Sequence, residues 1–216
     1  MTIGDAQLWL PLFPEGLIPQ ILDLVVDTWH AIEKPAADAH EVPITRQFKC
    51  ALKQRKDFRR LPVRIEREPA EDDGESGEEL GRIDLKFNPA ESALEEVYFA
   101  FECKRLYALV SGTVRALTSE YVSEGMMRFV TGQYGAAMTH GGMIGYVLKG
   151  PTARARTQVA KSVSALAAGL RIVSGTGLDP SELRPDVNDV RQTRHLRPNG
   201  LEQRLHHIFL AAGNAS

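Results

Sequence analysis

Apolar positions along the chain change their period several times, and each change marks an element. Over residues 16–33 the side chains Leu17, Ile18, Ile21, Leu22, Leu24, Val25, Val26 and Trp29 recur at helical spacing. That pattern predicts a well-buried helix, ended by Lys34-Pro35. A second helix is predicted from about His40 to Asp57, with Pro43 in the first turn, where a missing N–H costs nothing. Its inward stripe holds Ile44, Phe48, Ala51 and Leu52. Glu41 stands three residues before Ile44 and seven before Phe48, so a carboxylate lies on the stripe that faces the core.

The period then becomes two. Residues 61–66 (LPVRIE) read as a strand, followed by an acidic loop. Residues 81–87 (GRIDLKF) alternate apolar Ile83, Leu85 and Phe87 with polar Arg82, Asp84 and Lys86. After a short turn at Asn88-Pro89, residues 97–106 (VYFAFECKRL) form the most apolar strand, central to the sheet, yet carry Glu102 and Lys104. Residues two apart in a strand share a face, so Glu102 and Lys104 point together while Phe101 and Cys103 point away.

Residues 121–135 read as a helix, with Tyr121, Met126, Phe129 and Val130 inward, ending in a turn at Gln133-Tyr134-Gly135. Residues 141–148 (GGMIGYVL) are a buried, glycine-rich strand, and 152–170 an amphipathic helix with Val159, Val163, Leu166 and Leu170 inward. Residues 175–190 are loop by composition, and the end of the chain is a hairpin of two short strands joined at Pro198-Asn199-Gly200. The order predicts an α/β fold with a mixed central sheet flanked by helices, not a repeated βαβ barrel. One domain over residues 1–216 is expected: an N-terminal helical extension (1–39), a core (40–170), then a loop and C-terminal strands (171–216).

Composition narrows the classes. With 216 residues, 43% hydrophobic and 25% charged, the chain has enough apolar material for one substantial core. No apolar run approaches the ~20 residues of a membrane helix. The first twenty residues lack a basic stretch and are interrupted by Pro11 and Pro14, unlike a signal peptide. Two cysteines, Cys50 and Cys103, are too few for a disulfide framework or a zinc site, so a cytoplasmic setting is expected. The net charge of −2 gives no global positive field. Residues 66–79 hold eight acids against one base, however, so the remainder is basic and any nucleic-acid face is local.

Asp84 sits in one strand, and Glu102 and Lys104 sit in the next, eighteen residues on. If those strands pair as a hairpin, the two carboxylates meet at one end of the sheet. Hard oxygen ligands of this kind suit Mg²⁺ or Mn²⁺, which lowers the pKa of bound water. Lys104 is placed to orient or deprotonate that water and to stabilise charge on phosphorus. Glu41 supplies a third carboxylate from the neighbouring helix.

A helix-borne Glu41, Asp84 in GRIDL and the E-x-K of FECKRL (Glu102, Lys104) resemble the core of the PD-(D/E)XK nucleases. The resemblance spans about residues 40–170 and implies a restriction-endonuclease-like αβββαβ core. It implies that Asp84, Glu102 and Glu41 bind Mg²⁺ or Mn²⁺ and that Lys104 assists the water. Ile83 stands where the nominal motif has proline. The segments YVSEGMMRFVTGQYG, GGMIGYVL and RHLR…HHIFL resemble compact bacterial nucleases of restriction and anti-phage systems, which implies DNA hydrolysis in defence, as a homodimer or within a multi-protein complex.

Further candidates for nucleic-acid contact are Tyr121 and Arg128 after the motif strand, Arg154, Arg156 and Lys161 on one helix face, and His195 and Arg197 two apart in a late strand. Packing or a solvated surface is the competing reading for each. His206 and His207 face opposite sides of a strand, which argues against a paired metal site. Two other functions keep the same residues: a non-catalytic nuclease-fold subunit that binds nucleic acid or a partner protein, and a hydrolase of small phosphoesters.

Overall fold

A computed structural model describes residues 13–66, 70–72, 79–92, 94 and 97–213. Most of the acidic stretch 66–79 and the first twelve residues lie outside that set. Helices α1 (Leu17–Ala31) and α2 (Glu41–Arg59) come first. Helix α1 stops at Ile32, where Lys34 folds back and donates from Nζ to the carbonyls of Trp29 (2.6 Å) and Ile32 (2.7 Å), covering orphan acceptors of the last turn.

The strands are β1 (Val63–Glu66), β2 (Ala70–Asp72), β3 (Glu79–Arg82), β4 (Leu85–Pro89), β5 (Phe99–Leu106), β6 (Ala108–Val110) and β7 (Thr113–Arg115). A π-helical segment, Glu120–Met126, then runs into the single turn α3 (Met127–Val130). Strand β8 (His140–Val147), helix α4 (Thr152–Ala165), and β9 (Asp179–Pro180), β10 (Val190–Leu196) and β11 (Glu202–Ala211) complete the order. Seven strands form one sheet in the order β1-β4-β5-β8-β11-β10-β9. β1, β4 and β5 are antiparallel neighbours, whereas β8 runs parallel to both β5 and β11. The fold is therefore α/β with a mixed central sheet, as the order of elements predicts. None of the described helices is long and apolar enough to cross a membrane.

Two apolar layers enclose the sheet. Phe48, Leu85, Phe87, Phe99, Phe101 and Tyr146 pack under α1 and α2, while Tyr121, Met126, Phe129, Met143, Val159 and Phe209 pack under the π-helical segment, α3 and α4. The glycines of β8 permit this close approach. A Cβ on Gly142 would lie 2.3 Å from the Phe101 ring, and one on Gly141 2.7 Å from that of Phe129.

Several details differ from the sequence reading; one is that α4 ends at Ala165, so Leu166, expected inward, is 44% exposed. The alternating run 81–87 is not one strand: β3 pairs with β2 in a separate ribbon, and the chain breaks at Ile83-Asp84 before β4 begins. Asn88-Pro89 is not a turn but the end of β4, where Val63 of β1 is opposite Pro89. β5 has stopped pairing by then, at Phe87↔Phe99, so the missing proline N–H is not needed on that side. A hairpin, β6–β7, also follows β5, turning through Ser111 (φ 49) and Gly112 (φ 78).

Candidate active site

The site lies where β4 leaves β5. Their ladder ends at Leu85↔Phe101, although β5 continues to Leu106. Amide groups two apart on a strand point the same way, so the N–H groups of Cys103 and Arg105 face an edge that β4 no longer covers. Two carboxylates take them. Asp84 Oδ2 accepts the Cys103 N–H at 2.7 Å, and Glu41 Oε2 accepts the Arg105 N–H at 3.1 Å. The break at Ile83-Asp84 turns the Asp84 side chain into the gap. Glu41 reaches the gap from the first residue of α2.

On the face of β5 toward the π-helical segment, Lys104 Nζ lies 2.8 Å from Glu102 Oε1 and 3.3 Å from Glu41 Oε1. Glu102 is 1% exposed. Above it, Gly125 of the π-helical segment comes so close that a Cβ there would be 3.5 Å from Glu102 Cγ and 2.5 Å from Met143 Cε. Arg128 of α3 approaches Glu102 Oε1 to 3.6 Å and donates to the Tyr134 hydroxyl, which itself donates to the Arg82 carbonyl at 2.7 Å. The sequence-predicted Glu41, Asp84, Glu102 and Lys104 are thus gathered around one gap. Tyr134, read from sequence as part of a turn, belongs beside them.

Burial sets the electrostatics. It pushes the Asp84 carboxyl up to about 7, with the nearby Glu102 carboxylate adding to the effect. Burial also raises Glu102, against the pull of Lys104. For Lys104, burial would favour the neutral amine, but Glu102 and Glu41 outweigh it and hold the ammonium above its ordinary range. Lys104 is therefore a fixed positive charge.

Among the described residues no group of three or more His, Cys, Asp or Glu side chains is drawn close enough to enclose a metal ion. The reason is visible in the contacts, because Lys104 stands between Glu41 and Glu102. The donor set nevertheless fits a hard divalent cation. Glu102 Oε2 is buried without a hydrogen-bond partner among the described residues, and Asp84 and Glu102 are carboxylates whose charges burial penalises. An Mg²⁺ or Mn²⁺ ion would satisfy that oxygen and favour ionisation of both groups.

Three expected nucleic-acid contacts are corrected. Tyr121, His195 and Arg197 are buried and offer no surface to a polymer. Arg197 donates to five carbonyls: from Nε to Phe129 (2.8 Å), from Nη1 to Gly135 (2.7 Å), Ala136 (3.0 Å) and Met138 (3.0 Å), and from Nη2 to Tyr134 (3.0 Å). It clamps the loop after α3. Tyr121 and His195 belong to a buried relay whose donors are fixed by its end. His195 Nδ1 must donate to the Leu170 carbonyl (2.7 Å), so its Nε2 accepts from Thr193 Oγ1 (2.7 Å). Thr193 then accepts from His207 Nε2 (2.9 Å), and His207 Nδ1 accepts from the Tyr121 hydroxyl (2.9 Å). Both imidazoles are neutral.

His206 points to the other face, where its Nε2 lies 3.0 Å from His140 Nδ1. On α4, Arg156 is tied to Asn188 and Asp189, Arg154 lies over the Tyr107 ring at 4.8 Å, and Lys161 is exposed. Arg154 and Lys161 are exposed and Arg156 partly so. No family model, no curated protein and no solved structure matches the chain.

Proposed function

We propose that the protein is a Mg²⁺- or Mn²⁺-dependent nuclease with a restriction-endonuclease-like core, hydrolysing phosphodiester bonds of DNA. One observation carries the reading: Asp84, Glu102, Glu41 and Lys104 converge on the single gap between β4 and β5, with Glu102 Oε2 buried and unpartnered among the described residues. The order α2, three antiparallel strands (β1, β4, β5), a helical segment and a parallel β8 agrees with the αβββαβ core that the motif implies. A role in restriction or anti-phage defence rests on the sequence resemblance alone.

In this reading Asp84 and Glu102 hold the cation, with Glu41 beside them. An ion held there would lower the pKa of a bound water and neutralise phosphate charge. Lys104, kept as an ammonium by Glu102 and Glu41, stabilises the negative charge that develops on the phosphoryl oxygens. Burial holds the free Asp84 carboxyl at about 7, so binding of the cation at neutral pH would displace a proton from it.

One feature favours a second reading, a non-catalytic module of the same fold. Asp84, Glu41 and Glu102 already have internal donors in the Cys103 N–H, the Arg105 N–H and Lys104. A structural network closing the sheet gap would look the same in those respects. The purified protein separates the two when incubated with plasmid, single-stranded DNA, RNA and nucleotides, each with Mg²⁺, Mn²⁺ or EDTA. Metal-dependent cleavage of a polymer that is lost in Asp84→Asn, Glu102→Gln and Lys104→Met supports the nuclease. No cleavage together with no Mn²⁺ uptake by calorimetry supports the module, and turnover of nucleotides alone indicates a small-phosphoester hydrolase.

A further inference from the structure

Resting on the phosphodiester reading, we infer that Arg128 is the phosphate-holding cation of the site and that Tyr134 is its positioning residue, with the substrate backbone entering along α3.

Two surface pockets lie on either side of Glu124, which lines both. One, of about 190 Å³, lies over Lys104 and Arg105 and is walled by Glu41, Glu120 and Glu124. The other, of about 390 Å³, runs along the helical segment past Ser123, Arg128, Thr131 and Gln133. The second is the larger, and the cation on its wall is the Arg128 guanidinium, a group that binds phosphate oxygens, since the Ser123 and Thr131 hydroxyls already donate to the carbonyls of Ser119 and Met127. The first sets Glu41, Glu120 and Glu124 against Lys104 and Arg105, so its cations are largely offset by carboxylates.

Arg128 is built for more than an ion pair. Glu102 Oε1 is already engaged by Lys104 at 2.8 Å, and Arg128 stops 3.6 Å away, beyond a hydrogen bond. Its side chain is 31% exposed and lines the larger pocket. The guanidinium makes one hydrogen bond to a described residue, the Tyr134 hydroxyl, and lies 5.3 Å from the centre of that ring. Most of its five donors are thus left for a ligand.

Tyr134 is buried and uses both functions of its hydroxyl. It accepts from Arg128 and donates to the carbonyl of Arg82, two residues before Asp84. One side chain therefore fixes Arg128 relative to the turn that delivers Asp84. Arg197 holds the Tyr134 backbone from behind through its 3.0 Å bond to that carbonyl.

The test is fluorescence anisotropy with a short labelled single-stranded oligodeoxynucleotide in EDTA, repeated over a range of salt. Arg128→Gln is expected to weaken binding about tenfold and to flatten the salt dependence by about one counterion. Arg128→Lys restores the salt slope but not the affinity, because a point charge replaces a planar fork. Tyr134→Phe keeps the slope and lowers affinity by a smaller factor, a pattern that loss of folding would not produce. Unchanged affinity and slope in Arg128→Gln, with the unsubstituted protein binding, overturns the assignment alone. Absence of binding by the unsubstituted protein to this oligonucleotide and to its duplex, with Ca²⁺ as well as with EDTA, overturns the phosphodiester reading and this assignment with it.

Discussion

Asp84 Oδ2 and the amide nitrogen of Cys103 are 2.7 Å apart, so a side chain makes the rung that β4 would have made had it continued alongside β5. The group assigned to the cation is also a structural acceptor. Asparagine at this position keeps an oxygen for the amide, whereas alanine does not, which makes Asp84→Asn the cleaner probe of chemistry.

Asp84 has its carboxyl pushed up from 3.8 to about 7, chiefly by burial. A folded-state value above the unfolded one means that the folded state binds the extra proton. Stability from this group is present below about pH 4 and is lost as pH rises to about 7. Asp84→Asn is therefore expected to be more stable than the unsubstituted protein above pH 7 and to lose that advantage in acid, by urea denaturation at several pH values. Mn²⁺ affinity should fall by up to about tenfold per unit below pH 7 as protons compete for the carboxylate. A pH-independent Mn²⁺ affinity from pH 5 to 8 would remove Asp84 from the ligand set.

Lys104 is the nearest counter-charge to the buried Glu102. Lys104→Met is expected to cost about 3 kcal/mol or more near neutral pH, because it strands a buried carboxylate. The loss shrinks in acid, where Glu102 protonates. Adding Glu102→Gln should recover part of the stability but none of the cleavage. A double-mutant cycle by chemical denaturation measures the coupling, and simple additivity would contradict the pairing.

Arg197 is a buried cation satisfied by carbonyl dipoles. Arg197→Met is expected to destabilise by about 3 kcal/mol or more, since five acceptors lose their donor. Arg197→Lys should rescue little, having one ammonium where a planar fork spans several carbonyls. Native-state hydrogen exchange should show the damage first at residues 129–138. Unchanged exchange there in either variant would refute the clamp.

The relay through His207, Thr193 and His195 holds two neutral imidazoles. Burial pushes His195 down to about 4 and His207 well below its ordinary range. Folded values below the unfolded 6.5 mean that the unfolded chain binds protons first. The relay contribution is therefore complete above about pH 6.5 and falls as pH drops toward 4. His195→Gln is expected to flatten that acid-side slope in urea midpoints, and a slope equal to the unsubstituted one would show that the loss arises elsewhere.

Much of this could be read in the chain. Helical spacing in residues 16–33 and the apolar run around FECKRL located α1 and β5, and an inward Glu41 signalled a carboxylate that had to be satisfied. The break at Ile83-Asp84 was hidden because alternation runs through it unchanged, and only pairing partners distinguish one strand from two. β10 misled more strongly. His195 and Arg197 are buried, whereas Leu196 between them is 52% exposed, so hydropathy gives the opposite phase. Polar side chains hold the inward positions because Thr193, Leu170 and the loop carbonyls satisfy them. Tyr134 left no trace beyond its place near a helix end, because its partners, Arg128 and the Arg82 carbonyl, meet only in the folded chain.

Strand β11 lies between β8 and β10, pairing with β8 along all eight residues from His140 to Val147. On the ribosome, β8 emerges well before Glu202, and until then it offers an open hydrogen-bonding flank beside the strand that bears Glu102 and Lys104. Nascent chains thus pass through an interval in which that flank is vulnerable to capture by other polypeptides.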